Sequence, residues 1–446
     1  MKFVIIMVKY LKAIYLVSIS FLIISSAMAE TRPLKIEVNK GREKAIPIAM
    51  PSFVTGTDLS ELAENMISVI TDDLEGTGLF LSVNRELHNS LITNFDSPIV
   101  YSNWNAINAR ILLTGELSSN GTTSINVKFR LFDILLKKPF REGLKFTGPK
   151  KGWRRMAHKI ADEVYSRVTG ESKYFDTRIV FVAEEGSKKY RTKRLVLMDY
   201  DGANQAFLTE KTDFIVMGPK FSPSGTKLLY TSYETGLPRI SILDIRSRKK
   251  IILNEEPKTM SFSPIFSPNG QDVVFSLTSG SNTDLYKLNI ASGSRSRLTS
   301  SVAIETSPSF SPDGNRLVFE SDRSGSQQIY IMPSAGGHAR RISFGSGSYG
   351  TPVWSPSGDL IAFTKKVDEF FHIGVMDIDG SNERLLTSSF LDESPTWAPN
   401  GRVLMFSRLT PGSGGSSTLY SVDIDGRSLK PIRASASDPA WSNLLN

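Results

Sequence analysis

A seven-residue phrase recurs along the second half of the chain and sets its period. Pro219-Lys220-Phe221-Ser222-Pro223-Ser224-Gly225 returns as Pro264-Ile265-Phe266-Ser267-Pro268-Asn269-Gly270 and as Pro308-Ser309-Phe310-Ser311-Pro312-Asp313-Gly314. Pro352-Val353-Trp354-Ser355-Pro356-Ser357-Gly358 and Pro395-Thr396-Trp397-Ala398-Pro399-Asn400-Gly401 follow, and Pro439-Ala440-Trp441-Ser442 is a shorter sixth copy. The aromatic positions are spaced by 45, 44, 44, 43 and 44 residues. A near-constant period of about 40–45 residues is that of one four-stranded propeller blade.

Each part of the phrase has a physical task. The aromatic residue is large enough to wedge between neighbouring blades. In Ser-Pro-x-Gly, proline fixes φ and glycine supplies the positive φ that closes a hairpin. A short β-rich run follows each turn, as in Leu228-Leu229-Tyr230 and Leu317-Val318-Phe319. Third and fourth runs end in turns of their own, such as Asp379-Gly380 and Leu386-Thr387, giving four strands per repeat.

The two ends of the repeat complement each other. A second-strand run at Arg178-Ile179-Val180-Phe181 has no Pro-x-aromatic phrase before it, and the phrase at Pro439–Trp441 has no second strand after it. The C-terminal segment is therefore expected to supply the innermost strand of the blade beginning at Arg178. That closes a six-bladed ring over 178–446 and removes the open sheet edges that invite aggregation.

Residues 30–170 carry no copy of the repeat and mix strands with helices, so the fold class is a small α/β domain followed by an all-β six-bladed propeller. Leu34–Val38 alternates as a strand. Leu59, Leu62, Ala63, Met66, Ile67 and Ile70 recur with helical spacing, with Thr57 or Asp58 as the expected cap and Gly76 and Gly78 as the stop. Ala109–Gly115 and Ser124–Phe132 read as strands. Trp153, Met156, Ala157, Ile160, Ala161, Val164, Tyr165 and Val168 line a second helix stopped by Gly170, and 171–177 reads as a linker.

The first 29 residues carry Lys2, Lys9 and Lys12 without an acid, then the uncharged apolar stretch Ala13–Ile24, then Ala27-Met28-Ala29. This is the anatomy of a secretory signal cleaved between Ala29 and Glu30. The stretch is shorter than the roughly 20 residues a spanning helix needs. No other segment of the chain reads as a membrane span. Removing the signal lowers the net charge from +8 to +5, 50 basic against 45 acidic residues, which is too mild to point to nucleic acid. There is no cysteine, which removes disulfides, thiolate catalysis and a lipid-modified signal together.

A search for catalytic chemistry finds none. No G-x-S-x-G nucleophile elbow occurs, and too few residues follow the sixth repeat for a hydrolase domain. His88, His158, His338 and His372 are too scattered in sequence for a metal motif, and His158 reads as a surface or packing residue of its helix. Gly345–Gly350 matches G-x-G-x-x-G, but Thr351-Pro352 follows in place of a helix, so it reads as an inter-blade loop. No cofactor or metal is implied. What remains is a binding scaffold whose loops before each Pro-x-aromatic phrase, at 260–263, 304–307, 348–351 and 391–394, gather on one face. Met260, Phe262 and Tyr349 are the candidate apolar anchors there. The alternative is a periplasmic hydrolase or a carbohydrate-binding propeller with its site in the channel.

Together these features resemble the TolB family of periplasmic Tol-Pal components. The most specific stretches are Trp153-Arg154-Arg155-Met156-Ala157-His158-Lys159-Ile160-Ala161-Asp162-Glu163-Val164-Tyr165, Phe175-Asp176-Thr177-Arg178-Ile179 and Phe390-Leu391-Asp392-Glu393-Ser394-Pro395. The resemblance implies a non-catalytic periplasmic protein that binds the outer-membrane lipoprotein Pal at one propeller mouth and TolA through its N-terminus. It further implies membership of a complex with TolQ and TolR, and a role in outer-membrane invagination at division and in outer-membrane integrity. By position, the Pal face falls on Met260, Phe262, Ser263, Glu305, Thr306, Ser307, Tyr349 and Glu393. Thr306 keeps the family's residue type, whereas Ser263 and Ser307 depart from it. The TolA segment falls within Glu30–Gly41, on Glu30, Thr31, Arg32, Leu34, Ile36 and Val38. Pro33 delays any strand pairing there because it has no N–H to donate.

Overall fold

The computed structural model of the chain describes residues 45–445, apart from 89–91, 188–189, 212–213, 254–255 and 413. The signal, its cleavage site, the Leu34–Val38 strand and the Glu30–Gly41 segment lie outside the described residues.

The N-terminal domain is built on one mixed sheet. Strands β1 (Ile46–Ala49), β2 (Phe80–Ser82), β3 (Ile111–Asn120), β4 (Ser124–Asp133) and β5 (Lys138–Pro139) run in the order β2-β1-β3-β4-β5, and β6 (Leu144–Pro149) also pairs with β4. Alternation in β3 and β4 separates two faces. Ile111, Leu113 and Leu117 with Ile125, Val127, Phe129 and Leu131 meet helices α1 (Ser60–Glu75) and α3 (Trp153–Thr169). Leu112 and Phe132 face the other way, against Trp104 of the short helix α2 (Tyr101–Ala106). Gly115 interrupts the first series because the Phe53 ring lies there; a Cβ would come within 2.5 Å of it.

Both long helices end as their glycines predict: Gly170 caps α3 with φ +79°, and Gly76 and Gly78 turn the chain out of α1. The start of α1 differs from expectation. Neither Thr57 nor Asp58 caps it with a side chain. A 3₁₀ turn at Thr57–Leu59 feeds the helix, held by the Ser60 hydroxyl donating to the Thr57 carbonyl at 2.9 Å.

From Arg178 onward the chain forms six four-stranded antiparallel sheets. Five are consecutive in sequence. The sixth runs Ala436–Trp441, Arg178–Glu185, Thr192–Asp199, Ala206–Phe207, so the last strand is the innermost strand of the first blade. The motif aromatics fill the seams. Trp397 packs with Ala362 and Val375 of the preceding blade and donates its indole N–H to the Val353 carbonyl at 3.0 Å. Phe266 likewise meets Leu229, Ile240 and Ile242. Burial of such a ring contributes about 2–3 kcal/mol. The leading serine of the turn has a role of its own: the Oγ of Ser222, Ser267, Ser311 and Ser355 accepts the N–H five residues on, at 2.9–3.1 Å.

The connection at 171–177 is packed in rather than a free tether. Asp162 of α3 accepts the N–H groups of Tyr174, Phe175 and Asp176 at 2.7, 2.8 and 3.0 Å, and all three residues are buried. One apolar cluster runs from α1 and α3 through Tyr174 and Phe175 into Ile179, Met198, Met405 and Trp441 of the propeller.

Candidate functional site

The blade topology gives the propeller two unlike faces. Ser-Pro turns join first to second strands, and Asp-Gly-type turns join third to fourth strands; both emerge on the face that the N-terminal domain covers. Its contacts there include Tyr200, Asp201, Arg402 and Lys430. The loops from each outermost strand to the next innermost one, with the loops between second and third strands, form the opposite mouth.

That open mouth carries exposed large apolar side chains in blade after blade. Val302 is 92% exposed, Phe344 70%, Phe390 52% and Ile304 51%, and Ile215, Leu237 and Phe370 stand out at the same end. Several of its charges are paired. Asp392 is fully buried and takes both Nε and Nη2 of Arg408, at 2.7 and 2.6 Å, and Lys365 bonds Glu383 at 2.6 Å. Recurrent exposed apolar side chains, with the neighbouring charges neutralised, are the composition of a partner-binding surface.

The residues expected as mouth loops are mostly not loops. Met260–Ser263, Glu305–Ser307, Ser348–Thr351 and Leu391–Ser394 are the leading residues of the innermost strands. Each strand continues past its proline through a bulge, where the residue before proline takes positive φ: Gly218, Ser263, Ser307, Thr351, Ser394 and Asp438, at 44–57°. Such backbone costs about 1–3 kcal/mol in a non-glycine residue and persists only where its surroundings hold it. Thr351 is held by Glu320 Oε2 accepting its N–H at 2.7 Å, and Asp438 by Ser407 Oγ at 2.9 Å. Five of these six residues line a central channel of about 520 Å³.

This geometry sorts the expected contact residues. Met260, Phe262, Ser263, Ser307 and Glu393 are half-buried. Tyr349 is a correction: it is fully buried, its hydroxyl donating to Glu383 at 2.7 Å beneath Lys365, so it is no exposed anchor. Glu305 is also fully buried and paired with Arg323, and Thr306 is buried and donates to Glu320. Val302, Phe344 and Phe390 were missed as anchors because they stand outside the repeated phrase. Their signal is a large apolar residue in a turn-rich stretch between strands.

The covered face holds a second site, beside a cleft of about 360 Å³. His158 is not a surface residue. It is 1% exposed, and its Nδ1 lies 2.7 Å from Asp73 Oδ2, while Tyr200 donates to Asp73 Oδ1 at 2.5 Å. Its Nε2 has no hydrogen-bond partner and faces Asp201 Oδ2 at 3.7 Å. Burial alone would lower the imidazole pKa; the bond to Asp73 and the charges of Asp73, Asp201 and Asp199 outweigh burial and raise it. Asp73, His158 and Asp201 bring ligand-type atoms within 4.8 Å of one another, the one such group among the described residues. Their oxygens are already engaged: Asp73 by His158 and Tyr200, Asp201 by the Arg154 guanidinium and the Ala203 N–H. The arrangement is that of a hydrogen-bonded ion cluster in which both carboxylates are engaged and His158 Nε2 is left without a hydrogen bond. Among the described residues no helix is long and apolar enough to cross a membrane.

Residues 34–140 match the TolB amino-terminal domain, and residues 165–445 match the TolB beta propeller domain. The Tol-Pal system protein TolB of Dinoroseobacter shibae is 54% identical over 425 residues, covering 94% of this chain and 95% of that protein. Its counterpart in Cereibacter sphaeroides is 57% identical over 422 residues, with 94% and 95% covered. The chain belongs to the TolB family. The crystal structure of TolB from Acinetobacter baumannii shares the fold, with a TM-score of 0.77 at 22% identity, over 90% of this chain and 97% of that one. The TolB-like string at 153–165 has a structural explanation. Arg154 bonds Asp201, Arg155 holds Asp176 through two contacts of 2.9 Å, His158 meets Asp73, and Asp162 gathers the backbone of 174–176. Most of its polar side chains thus join the N-terminal domain to the connection or the propeller.

Proposed function

We propose that this TolB-family chain is a non-catalytic periplasmic scaffold of the Tol-Pal system. Its open propeller mouth receives the outer-membrane lipoprotein Pal, and its mature N-terminal segment, Glu30–Gly41, receives TolA. Through these contacts, together with TolQ and TolR, it supports outer-membrane invagination during division and outer-membrane integrity.

The observation that carries this reading is the distribution of exposed apolar side chains. Val302, Ile304, Phe344 and Phe390 stand on the propeller face that the described part of the N-terminal domain leaves uncovered. Anchors of this kind contribute most of the free energy of a specific interface, while half-buried neighbours such as Met260, Phe262 and Glu393 complete its fit. The described chain begins at residue 45, just before β1, on the domain across the propeller from that mouth.

The test is capture of purified Pal by the mature chain, with and without the Glu30–Gly41 segment. Pal binding that survives deletion of the segment, with TolA binding lost, is the expected result. Failure of the intact chain to bind Pal would overturn the assignment.

A further inference from the structure

We propose that the His158 cluster is a proton-dependent latch between the N-terminal domain and the propeller, closed when the imidazole is doubly protonated. The site lies at the junction of three elements. Asp73 comes from α1, His158 from α3, and Tyr200 with Asp201 from the turn of the ring-closing blade.

The geometry supplies one proton acceptor on each side of the ring. Nδ1 is bonded to Asp73 at 2.7 Å on the N-terminal domain's own side. Nε2 points across the boundary at Asp201, 3.7 Å away, with nothing bonded to it. In the singly protonated ring Nδ1 keeps its proton for Asp73, and Nε2 is a buried lone pair facing a carboxylate. That is an unsatisfied polar atom beside a like partial charge, an arrangement that disfavours the closed interface. A second proton on Nε2 turns the contact into an N–H donor facing Asp201. The ring then links the two domains by charge as well as by shape.

The surrounding charges keep this link responsive to protons. From α1 the cluster is faced by Asp72 and Asp73, from α3 by Arg154 and Asp162, and from the closing blade by Asp199, Tyr200 and Asp201. From the neighbouring blade Lys430 reaches the Gly76 carbonyl at 3.1 Å. Arg154 neutralises part of the Asp201 charge through two bonds. Asp73 and Asp199 remain to favour the imidazolium. The ring of Tyr200 packs edge-on to His158 at 5.4 Å and stacks on Trp441, so opening the latch loosens the neighbourhood of the strand that closes the propeller.

The sign follows from the raised imidazole pKa. The stabilisation is complete below the ordinary histidine value and is lost as pH rises through the higher folded-state value. The experiment is amide hydrogen exchange of the mature chain, corrected for intrinsic rates, at about pH 5.5 and about pH 8, below and above the ordinary imidazole value. Protection of the 199–203 turn and of the last turn of α1 is expected to be severalfold greater at the lower pH. His158→Gln should remove that ratio. Asp201→Asn, which keeps a side-chain carbonyl for the Ala203 N–H and removes the charge that Nε2 faces, should reduce that ratio, and a proton-resolved titration of the His158 ring should move toward the ordinary value. Equal protection at both pH values in the natural chain overturns the proposal. So does a ratio unchanged in both variants, or a His158 ring that titrates below the ordinary value.

Discussion

The two faces of the propeller solve opposite problems with the same blade. On the covered face, charge is concentrated and satisfied: Arg154 with Asp201, Arg155 with Asp176, His158 with Asp73, and Arg402 with Asp423 and Asp425. An aromatic hub of Tyr174, Phe175, Tyr200 and Trp441 lies beneath. On the open face, Glu305 pairs with Arg323 and Asp392 with Arg408 within single blades, and Val302, Phe344 and Phe390 stand exposed around them. An intramolecular interface can hold many directional contacts because the buried connection keeps its two sides in register. An exposed face with a few large apolar side chains offers non-directional contacts instead, which suit the partner binding proposed for it.

The contrast breaks most severely if the ring is opened. Removing 438–446 deletes most of the strand that pairs with Arg178–Glu185, together with Trp441, whose indole donates to Thr177 Oγ1 at 2.8 Å, and Leu445, which bonds Asp176. Both faces should be lost together, and circular dichroism should show no cooperative unfolding transition near that of the intact chain. Trp441→Ala is the milder form. It leaves the backbone strand but empties the hub, and should cost about 3–5 kcal/mol in denaturant unfolding.

The architecture was legible because its determinants are local and repeated. The Pro-x-aromatic phrase, the Ser-Pro-x-Gly turn and the unmatched runs at Arg178 and Pro439 all lie in plain sequence order, and they yield blade, count and closure. The sites were less legible, for two physical reasons. Tyr349 stands just before a Pro-x-aromatic phrase, which marks it as a loop residue; in the structure the innermost strand already begins at Ser348 and continues past Pro352 through the positive φ at Thr351, with the Tyr349 ring buried. His158 and Asp73 are 85 residues apart and meet only when the two long helices pack, and Asp201 belongs to the propeller and joins them only when the domains dock. The rim anchors fall in the least repeated part of each blade, where period gives no guidance.

The open face is tested by replacing Val302, Phe344 and Phe390 together with serine. All three are more than half exposed, so folding stability should change by less than about 1 kcal/mol. Pal affinity should fall about a hundredfold, roughly 3 kcal/mol, measured by calorimetry. Substituting Met260, Phe262 and Thr306 instead mixes binding with structure, because the Thr306 hydroxyl is bonded to Glu320 inside the blade. If that second triple weakened Pal without loss of stability while the first did nothing, the anchors would sit deeper in the mouth than the exposed rim.

The covered face offers a smaller effect with a definite sign. Burial holds the Asp162 carboxyl up at about 6, although three backbone N–H groups pull the other way. A carboxyl raised in the folded state favours folding most when protonated, so its contribution is complete below its ordinary value near 3.8 and is lost as pH rises through 6. Asp162→Asn keeps one carbonyl acceptor for the 174–176 backbone and removes the titration. Between pH 4 and pH 8 the natural chain should therefore lose about 2 kcal/mol more than the variant, read from parallel denaturant curves. A variant that lost just as much would place the pH response of this face elsewhere, on His158 and its two carboxylates.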